Sequence, residues 1–285
     1  MGIYALDIAI TGYWHIDGPM TLGAIRISTI SPAGGAHDWR WTLAHDLPYH
    51  LLIWTTRGQG RLLLNGTRRG VGAHNAIFVP ADELFALELS RQSLGLMAII
   101  PVGTDVRLPQ TPRQLRLRET GPISELTGFL DAAQREATAQ RSLTQDALDG
   151  YMALVSVWLR RQMAEDDHLP QKLNGAARLS ARFCARVAQH YANGMSVAEH
   201  AQELGVTGTH LARACKAATG HTAADILSQR ILHAARTALT DTDVPMQDIA
   251  RHLGFGSAAY FTRYIQTQTG KTPSQLRKSG ITRGT

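Results

Sequence analysis

The sequence predicts an α+β protein of several domains: an N-terminal antiparallel β-barrel, a pair of helices, and a C-terminal all-helical domain. Three observations predict this organisation. Residues 1–108 hold short runs rich in β-branched and aromatic residues and punctuated by turns, residues 122–163 carry helical periodicity, and a helical pattern repeats within 176–279. We place the domains at 1–108 for the barrel, 109–164 for the helical region, 165–175 for a linker and 176–285 for the helical domain.

Composition limits the class of protein. The chain has 285 residues, 44% of them apolar and 18% charged, which is typical of folded soluble proteins with about two domains. Its two cysteines, Cys184 and Cys215, lie too far apart for a metal-ligand motif. The N-terminus lacks the basic start and long apolar core of a signal peptide, and Leu94 to Val102 is too short to cross a bilayer. We therefore expect a cytoplasmic protein that does not enter a membrane.

Charge is distributed unevenly along the chain. The net charge is +6, and residues 171–285 alone hold 14 Lys and Arg against 6 Asp and Glu. A basic C-terminal part beside a near-neutral remainder indicates contact with a polyanion, although a solvated basic surface would give the same count.

The N-terminal region contains clear strand and turn signals. Asn65-Gly66 follows Arg61-Leu62-Leu63-Leu64 and predicts a tight hairpin, and Pro80 ends the apolar run from Ala76 to Val79. Several short strands at this spacing favour a small antiparallel barrel or sandwich.

The helical region carries one apolar stripe. Within the helix predicted over 144–163, Leu148, Met152, Val155 and Leu159 follow a 4-3-4 spacing that places them on one face. The stripe could pack on the barrel of its own chain, or it could meet a second copy as a dimer seam. We predict dimerisation through these four residues. The polar, acidic segment from Glu165 to Pro170 then reads as a linker.

The C-terminal region repeats one pattern about fifty residues apart. A short apolar helix ends at Leu204-Gly205-Val206, and again at Leu253-Gly254-Phe255, and each break is followed by a second helix containing an Arg. Glycine can end a helix in the left-handed conformation, the next apolar residue fills the corner, and Thr207 or Ser257 can cap the following helix. This is the helix-turn-helix arrangement, whose second helix enters the DNA major groove.

The outward face of each second helix gives the candidate DNA contacts. In the first unit these are Thr207, Thr209, His210, Ala212, Arg213 and Lys216, and in the second they are Ser257, Ala258, Tyr260, Thr262 and Arg263. Arg213 and Arg263 occupy equivalent places, where each could hold a guanine in a two-pronged bond or bind only phosphate. A helix predicted over 223–239, about 25 Å long, would hold the two units at successive grooves.

These residues identify a family resemblance. Residues 176–279 resemble the DNA-binding domain of AraC/XylS-family bacterial transcription regulators. The residues that carry the resemblance are Ser196-Val197, Leu204-Gly205-Val206, Leu211-Ala212-Arg213, Gly220, Ile249-Ala250, Leu253-Gly254-Phe255, Ser257, Tyr260-Phe261, Arg263, Gly270, Pro273 and Arg277. Ile265-Gln266 stands where the family usually has Phe-Lys, Ala223 where Pro is common, and Leu276 where Tyr is common. The missing lysine removes one expected phosphate contact.

The resemblance implies partners for the rest of the chain. Many members of the family join this domain to a cupin-like barrel that binds a small-molecule effector and to helices that form a homodimer, and RNA polymerase is a further partner that it implies. We predict that Trp41, His45, His50, Trp54 and Arg57 line the effector pocket, because aromatic walls with a few polar groups suit small ligands.

Catalysis is not expected. Metal-dependent cupins share a His-x-His set that this chain lacks, since His37, His45 and His50 are scattered, and no phosphate loop or nucleophile motif occurs. We predict no catalytic residue, metal or cofactor. Two alternatives to a sequence-specific regulator stay open: a cupin-type enzyme with a DNA-binding appendage, and a non-specific architectural nucleic-acid-binding protein.

Overall fold

A computed structural model describes residues 23–30, 39–165 and 173–281. His37 and most of the predicted linker, 165–175, lie outside these ranges. None of the described helices is long and apolar enough to cross a membrane.

The N-terminal domain consists of antiparallel strands and one short helix. The strands are β1 (Arg26–Ile30), β2 (Tyr49–Arg57), β3 (Gly60–Leu64), β4 (Thr67–Val71), β5 (Asn75–Val79), β6 (Phe85–Leu89), β7 (Leu94–Pro101) and β8 (Arg113–Arg116), and α1 (Trp39–Thr42) precedes β2. They form a five-stranded sheet in the order β1-β7-β2-β5-β8 and a three-stranded sheet in the order β4-β3-β6.

The two sheets face each other across an apolar core. Along β2, Leu51 and Ile53 point into this core while Leu52 and Trp54 point to the other face of the sheet, because side chains alternate along a strand. Leu62 and Phe85 contribute from the three-stranded sheet. Both faces of β2 are buried, which explains its nearly continuous apolar sequence.

The hairpin predicted at Asn65-Gly66 is confirmed. Both residues have positive φ, 49° and 60°, and Leu64 pairs with Thr67 across the turn. This conformation at both central positions is the type I′ turn that matches the twist of the flanking strands.

The predicted barrel is a pair of facing sheets. Among the described residues, β8 is one edge of the five-stranded sheet and β4 is one edge of the three-stranded sheet. A side chain of β8 connects these two edges, since Gln114 Nε2 donates to the Gly70 carbonyl at 2.7 Å. The boundary that we predicted at residue 108 falls too early, because β8 pairs with β5 and belongs to the sheet.

Two helices cover the outer face of the five-stranded sheet. They are α2 (Thr120–Ala139) and α3 (Thr144–Ala164), close to the helices predicted. Leu148, Met152, Val155 and Leu159 are all buried against this sheet within the same chain. The dimer seam predicted from this stripe is therefore corrected: the stripe packs on its own domain, the alternative that the spacing left open.

The C-terminal domain is wholly helical apart from its turns. Its helices are α4 (Gly175–His190), α5 (Val197–Glu203), α6 (Gly208–Thr219), α7 (Ala223–Asp241), α8 (Met246–His252), α9 (Ala258–Thr269) and α10 (Pro273–Ile281), with a 3-10 turn at Tyr191–Asn193. The first half of α7 packs with α4, α5 and α6, and its second half packs with α8, α9 and α10. The helix predicted over 223–239 is therefore the one that both helix-turn-helix units share.

The N-terminal domain packs directly on the first helix-turn-helix unit. Leu63 and Leu84, at the outer side of the three-stranded sheet, belong to the same apolar cluster as Phe183 and Ile226. The β3–β4 turn is so close to α4 that a Cβ on Gly66 would lie 2.4 Å from the Ala181 backbone nitrogen. The two domains are thus joined by a continuous core.

Ion pairs join the N-terminal domain to α7. Arg40 forms a two-pronged pair with Asp241 at 2.5 and 2.8 Å, and Arg230 pairs with Asp46. Each domain supplies one arginine and one aspartate, and all four side chains are largely buried.

Candidate nucleic-acid interface

The first helix-turn-helix unit is held by local hydrogen bonds. Ser196 and Glu199 form a reciprocal capping box at the start of α5. Gly205 ends the helix with φ of 71°, and the Val206 amide donates to the Ala201 carbonyl at 3.0 Å, which closes the turn. The Thr207 hydroxyl then accepts a bond from the His210 amide at 3.2 Å and caps α6.

The second unit repeats this construction with one additional residue in its turn. Gly254 has φ of 75°, and the Phe255 amide donates to the Ala250 carbonyl at 2.9 Å. Gly256 lengthens the turn, and the Ser257 hydroxyl caps α9 by accepting from the Tyr260 amide at 3.2 Å. The caps predicted at Thr207 and Ser257 are present.

Aromatic side chains pack together at the turn of the second unit. The Phe255 ring lies 5.2 Å from both the Phe261 and Tyr264 rings, measured between centroids, and Tyr264 Oη is bound to Ser228 on α7. Phe255 therefore fills the corner between α8 and α9, as expected.

Apolar residues of both units form the buried face of the helical domain. The fully buried residues are Ala201, Leu204, Leu211, Ile249, Ala250, Leu253 and Phe261. Three more apolar residues are only half-buried: Val197, Val206 and Phe255. His200, not Val197, occupies the place equivalent to Ile249, because the helices align at a 49-residue offset through Leu204 and Leu253. A buried histidine thus stands in the first core, and its burial lowers the pKa of His200.

Most predicted contact residues are on the surface. Exposed side chains are those of Thr207, Thr209, His210, Arg213, Lys216, Ser257, Ala258, Tyr260 and Arg263. Ala212 and Thr262 are half-buried, and the Thr262 hydroxyl donates to the Ala258 carbonyl of its own helix at 2.9 Å. These two are less available to DNA than the other nine.

Further residues extend the same surface stripes. Ala217 on α6, and Ala259, Gln266 and Thr267 on α9, are exposed beside the predicted contacts. Gln266 follows Arg263 by three residues, so helical spacing would have found it. Its position corresponds to Lys216 in the first unit.

The stripes carry unneutralised positive charge. Among the described residues, no carboxylate forms an ion pair with Arg213, Lys216 or Arg263. Cations left free on a helix face are suited to phosphate or to guanine edges.

The five predicted effector residues do not surround one cavity. Trp54 is buried on the helix-covered face of the sheet, where its Nε1 donates to Thr127 Oγ1 at 3.1 Å, and Arg57 is exposed at the end of β2. His50 Nδ1 accepts a bond from the Ala81 amide at 3.1 Å. Trp41 lies edge-on to His45, with ring centroids 6.3 Å apart.

His45 instead lies at the boundary between domains. Its ring stacks on His233 of α7 with centroids 4.4 Å apart and planes 8° from parallel. Burial lowers the pKa of His45 to about 3, and burial also lowers the pKa of His233 well below its usual value. Both rings are therefore neutral near pH 7. In the described part of the chain, no group of His, Cys, Asp and Glu has metal-site geometry.

Comparisons with known proteins agree with the helical geometry. A family model described as a helix-turn-helix domain matches residues 200–279. The chain is 32% identical over 87 residues to the probable transcription factor PqrA of Proteus vulgaris, covering 30% of this chain and 71% of PqrA. It is 31% identical over 93 residues to the regulatory protein SoxS of Escherichia coli K12, covering 33% of this chain and 87% of SoxS. The chain belongs to the AraC/XylS family of transcription regulators.

A solved structure can be aligned along more of this AraC/XylS-family chain. The crystal structure of ToxT from Vibrio cholerae O395 covers 92% of this chain and 98% of its own at 11% identity, with a TM-score of 0.39. The assignment to the family rests on the C-terminal matches. This AraC/XylS-family member is accordingly a DNA-binding transcription regulator.

Proposed function

We propose that this regulator reads specific DNA by placing α6 and α9 in two successive major grooves. The observation that carries the proposal is the pair of exposed, unneutralised stripes, centred on Arg213 and Arg263, each presented by a capped helix after a left-handed glycine. The shared helix α7 has 19 residues, a length of about 28 Å, which suits two grooves about one helical turn apart.

Selection from a random duplex pool tests the two-groove proposal. We expect the full-length chain to select two sequence blocks about one turn apart. Arg213→Ala should blur one block and Arg263→Ala the other, each with a loss of about 1–3 kcal/mol of discrimination at one base pair.

Lys216→Ala is the matched control, since it removes a neighbouring charge from α6. It should leave both blocks defined and reduce the salt slope of binding by about one unit, because a lysine on the phosphate backbone releases one counterion. If both arginine variants weaken all sequences equally, they bind only phosphate. An unstructured pool for the wild-type chain would favour the architectural alternative.

We further propose that DNA binding responds to a small-molecule effector held by the N-terminal domain. Two features support this coupling: the continuous core between the three-stranded sheet and the first helix-turn-helix unit, and the ion pairs from α1 and its following loop to α7. A ligand that binds one arrangement of these domains more tightly than another would shift the DNA-binding state.

Homodimerisation is proposed through the outer face of α3. The inner stripe is covered by the sheet, but Gly150, Ala153 and Leu154 are exposed on the opposite face, with Leu154 48% exposed and Val157 half-buried beside them. Small residues around one leucine allow two helices to approach closely. A dimer would bind paired DNA sites with the advantage of effective concentration.

Leu154→Glu tests this surface. A carboxylate at the centre of the contact should raise the dimer dissociation constant at least about tenfold, because it would be buried without a partner. Sedimentation velocity measures the change, with Gln145→Glu as a control that adds the same charge elsewhere on α3. A wild-type chain that stays monomeric, or a Leu154→Glu chain that dimerises like wild type, would refute the proposal.

A further inference from the structure

Three arginines meet at the seam between the two sheets. Arg69 lies on β4, and Arg113 and Arg116 lie on β8, the edge strands of their sheets. The seam is held by side chains, since Arg116 Nη2 donates to the Gly70 carbonyl at 3.1 Å and Gln114 Nε2 donates both there and to Asn75 Oδ1 at 2.8 Å. The positions of the arginines are thus fixed by the fold.

The bonds that these arginines make leave their charges unneutralised. Arg69 Nε donates to Thr67 Oγ1 at 3.2 Å, and Arg113 Nη1 donates to the Pro112 carbonyl at 3.0 Å. Within the described ranges, no carboxylate pairs with any of the three, and the Arg113 Nε atom is buried without an acceptor. All their partners are neutral oxygens.

The cluster is also partly removed from water. Arg69 and Arg113 are half-buried, and Arg116 is exposed. Burial lowers the pKa of Arg69, and the charges of Arg116 and Arg113 lower it further, while burial lowers the pKa of Arg113. Like charges are therefore close together where water screens them incompletely.

The two buried arginines at the domain boundary, by contrast, each have a carboxylate partner. Arg40 is paired with Asp241 and Arg230 with Asp46. Unpaired charge at a partly buried site is costly unless a counter-charge arrives. The seam cluster therefore lacks the counter-charge that Arg40 and Arg230 have.

We propose that Arg69, Arg113 and Arg116 bind a small multivalent anion that carries phosphate or carboxylate groups. Guanidinium groups hold such oxygens in charge-assisted, two-pronged bonds, and Arg116 is exposed to an arriving anion. This site deepens the effector response proposed above and rests on it for its regulatory consequence. Binding itself is measurable without DNA, so the two proposals fail separately.

Calorimetric titration and thermal unfolding of the full-length chain test the site. The probes are sodium phosphate and sodium citrate, each compared with sodium chloride at equal ionic strength, so that a phosphate site and a carboxylate site give different results. The variants are Arg113→Gln and Arg69→Gln. The matched control is Arg61→Gln on neighbouring β3, whose exposed side chain lies 3.8 Å from Glu88.

We expect one of the two probes to raise the unfolding midpoint of the wild-type and Arg61→Gln chains above the chloride value. Arg113→Gln and Arg69→Gln should each raise the dissociation constant of that probe about tenfold, the loss of one charge-assisted bond. In chloride alone, Arg69→Gln should be at least as stable as wild type, because it removes a like charge. Wild type should thus be the more stable of the two chains in the probe anion but not in chloride. An arginine with only a structural role would not give this reversal.

Three results would overturn the proposal. One is that neither probe stabilises the wild-type chain beyond chloride. Another is that both variants bind the probe as wild type does, which places the anion elsewhere. The third is that the variants bind the probe as tightly as wild type does but have a smaller salt slope of DNA binding. That result would mean that the three arginines contact DNA phosphate. An anion that binds here without changing operator affinity would support the site and refute its role as effector.

Discussion

At the scale of single residues, the stacked rings of His45 and His233 bring pH sensitivity to the domain boundary. His45 Nδ1 donates to the Leu43 carbonyl at 2.8 Å, and His233 Nε2 donates to the Arg40 carbonyl at 3.2 Å. Protonation would place two positive rings 4.4 Å apart beside Arg230 and Arg40, whose charges also act on this pair. The folded state therefore favours the neutral form of both.

Acid should therefore destabilise the protein in a defined window. The pKa of each ring is lower in the folded state than the usual 6.5, so the unfolded chain takes up protons first as pH falls below about 6.5, and stability is lost towards about pH 3 for His45. Each histidine adds up to about 1.4 kcal/mol per pH unit to this slope. His233→Gln replaces the ring N–H by a side-chain amide that can still donate to the Arg40 carbonyl. This variant should make the fall in unfolding free energy between pH 7 and 5 shallower.

Urea unfolding at several pH values measures this slope. His210→Gln on the exposed face of α6 is the control and should keep the wild-type slope. Parallel curves for His233→Gln and wild type would show that the stacked pair does not titrate in the window.

Residue-level prediction succeeded where helical periodicity decides exposure. Arg213, Lys216 and Arg263 are exposed as predicted, because a capped helix of known start fixes the direction of every side chain. The effector residues could not be placed in this way. Trp54 and His45 are buried by partners distant in sequence, the helix α2 and the helix α7, and composition does not specify those partners.

At the scale of elements, the two helix-turn-helix turns look alike but have different surroundings. Gly205 and Gly254 both have positive φ. A Cβ on Gly205 would meet nothing within 4 Å, whereas one on Gly254 would lie 2.5 Å from the Gly194 backbone nitrogen, in the turn after α4. The second turn is thus in backbone contact with the first unit.

Alanine substitutions separate these two roles of glycine. Gly205→Ala should cost about 1–2 kcal/mol of unfolding free energy, the strain of a left-handed non-glycine residue. Gly254→Ala should cost clearly more, because the methyl group also collides with backbone that cannot rotate away. Chemical denaturation of both variants gives the comparison, and equal losses would mean that the Gly194 contact opens without cost.

Element boundaries were predictable when local chemistry marked them. Local residues predicted the Asn65-Gly66 hairpin and the capped starts of α6 and α9. Strand β8 was not, because Arg113-Gln114-Leu115-Arg116 has one apolar residue and becomes a strand only by pairing with β5. Long-range pairing of this kind leaves no local signal.

At the scale of the whole molecule, α7 is the element on which both domains depend. It completes the core of each helix-turn-helix unit, and it receives Arg40 and supplies Arg230 in the ion pairs to the N-terminal domain. Sequence could predict α7 as a connecting helix. It could not predict that a second domain lies along it, since the two ion pairs join residues about two hundred positions apart.

Removing one partner of these pairs should be costly. Asp241→Asn leaves the Arg40 guanidinium largely buried without a counter-charge, and we expect a loss of about 3–5 kcal/mol in the free energy of unfolding. Glu88→Gln is the control, because its pair with Arg61 is exposed, and a change of about 0–1 kcal/mol is expected. Similar losses in the two variants would show that the domains separate readily at this contact.

The contact between Gly194 and Gly254 has a consequence for the DNA that the protein can accept. The shared helix α7 and this backbone contact both fix α6 relative to α9, so the distance and the angle between the two proposed DNA-contacting helices cannot change freely. One inserted base pair between the two half-sites moves the second by about 3.4 Å and turns it by about a tenth of a revolution. Because α6 and α9 cannot move apart to follow that displacement, the DNA must twist or bend instead, and its deformation energy weakens binding. Operators for this protein should therefore tolerate base changes between the blocks far better than changes in their spacing.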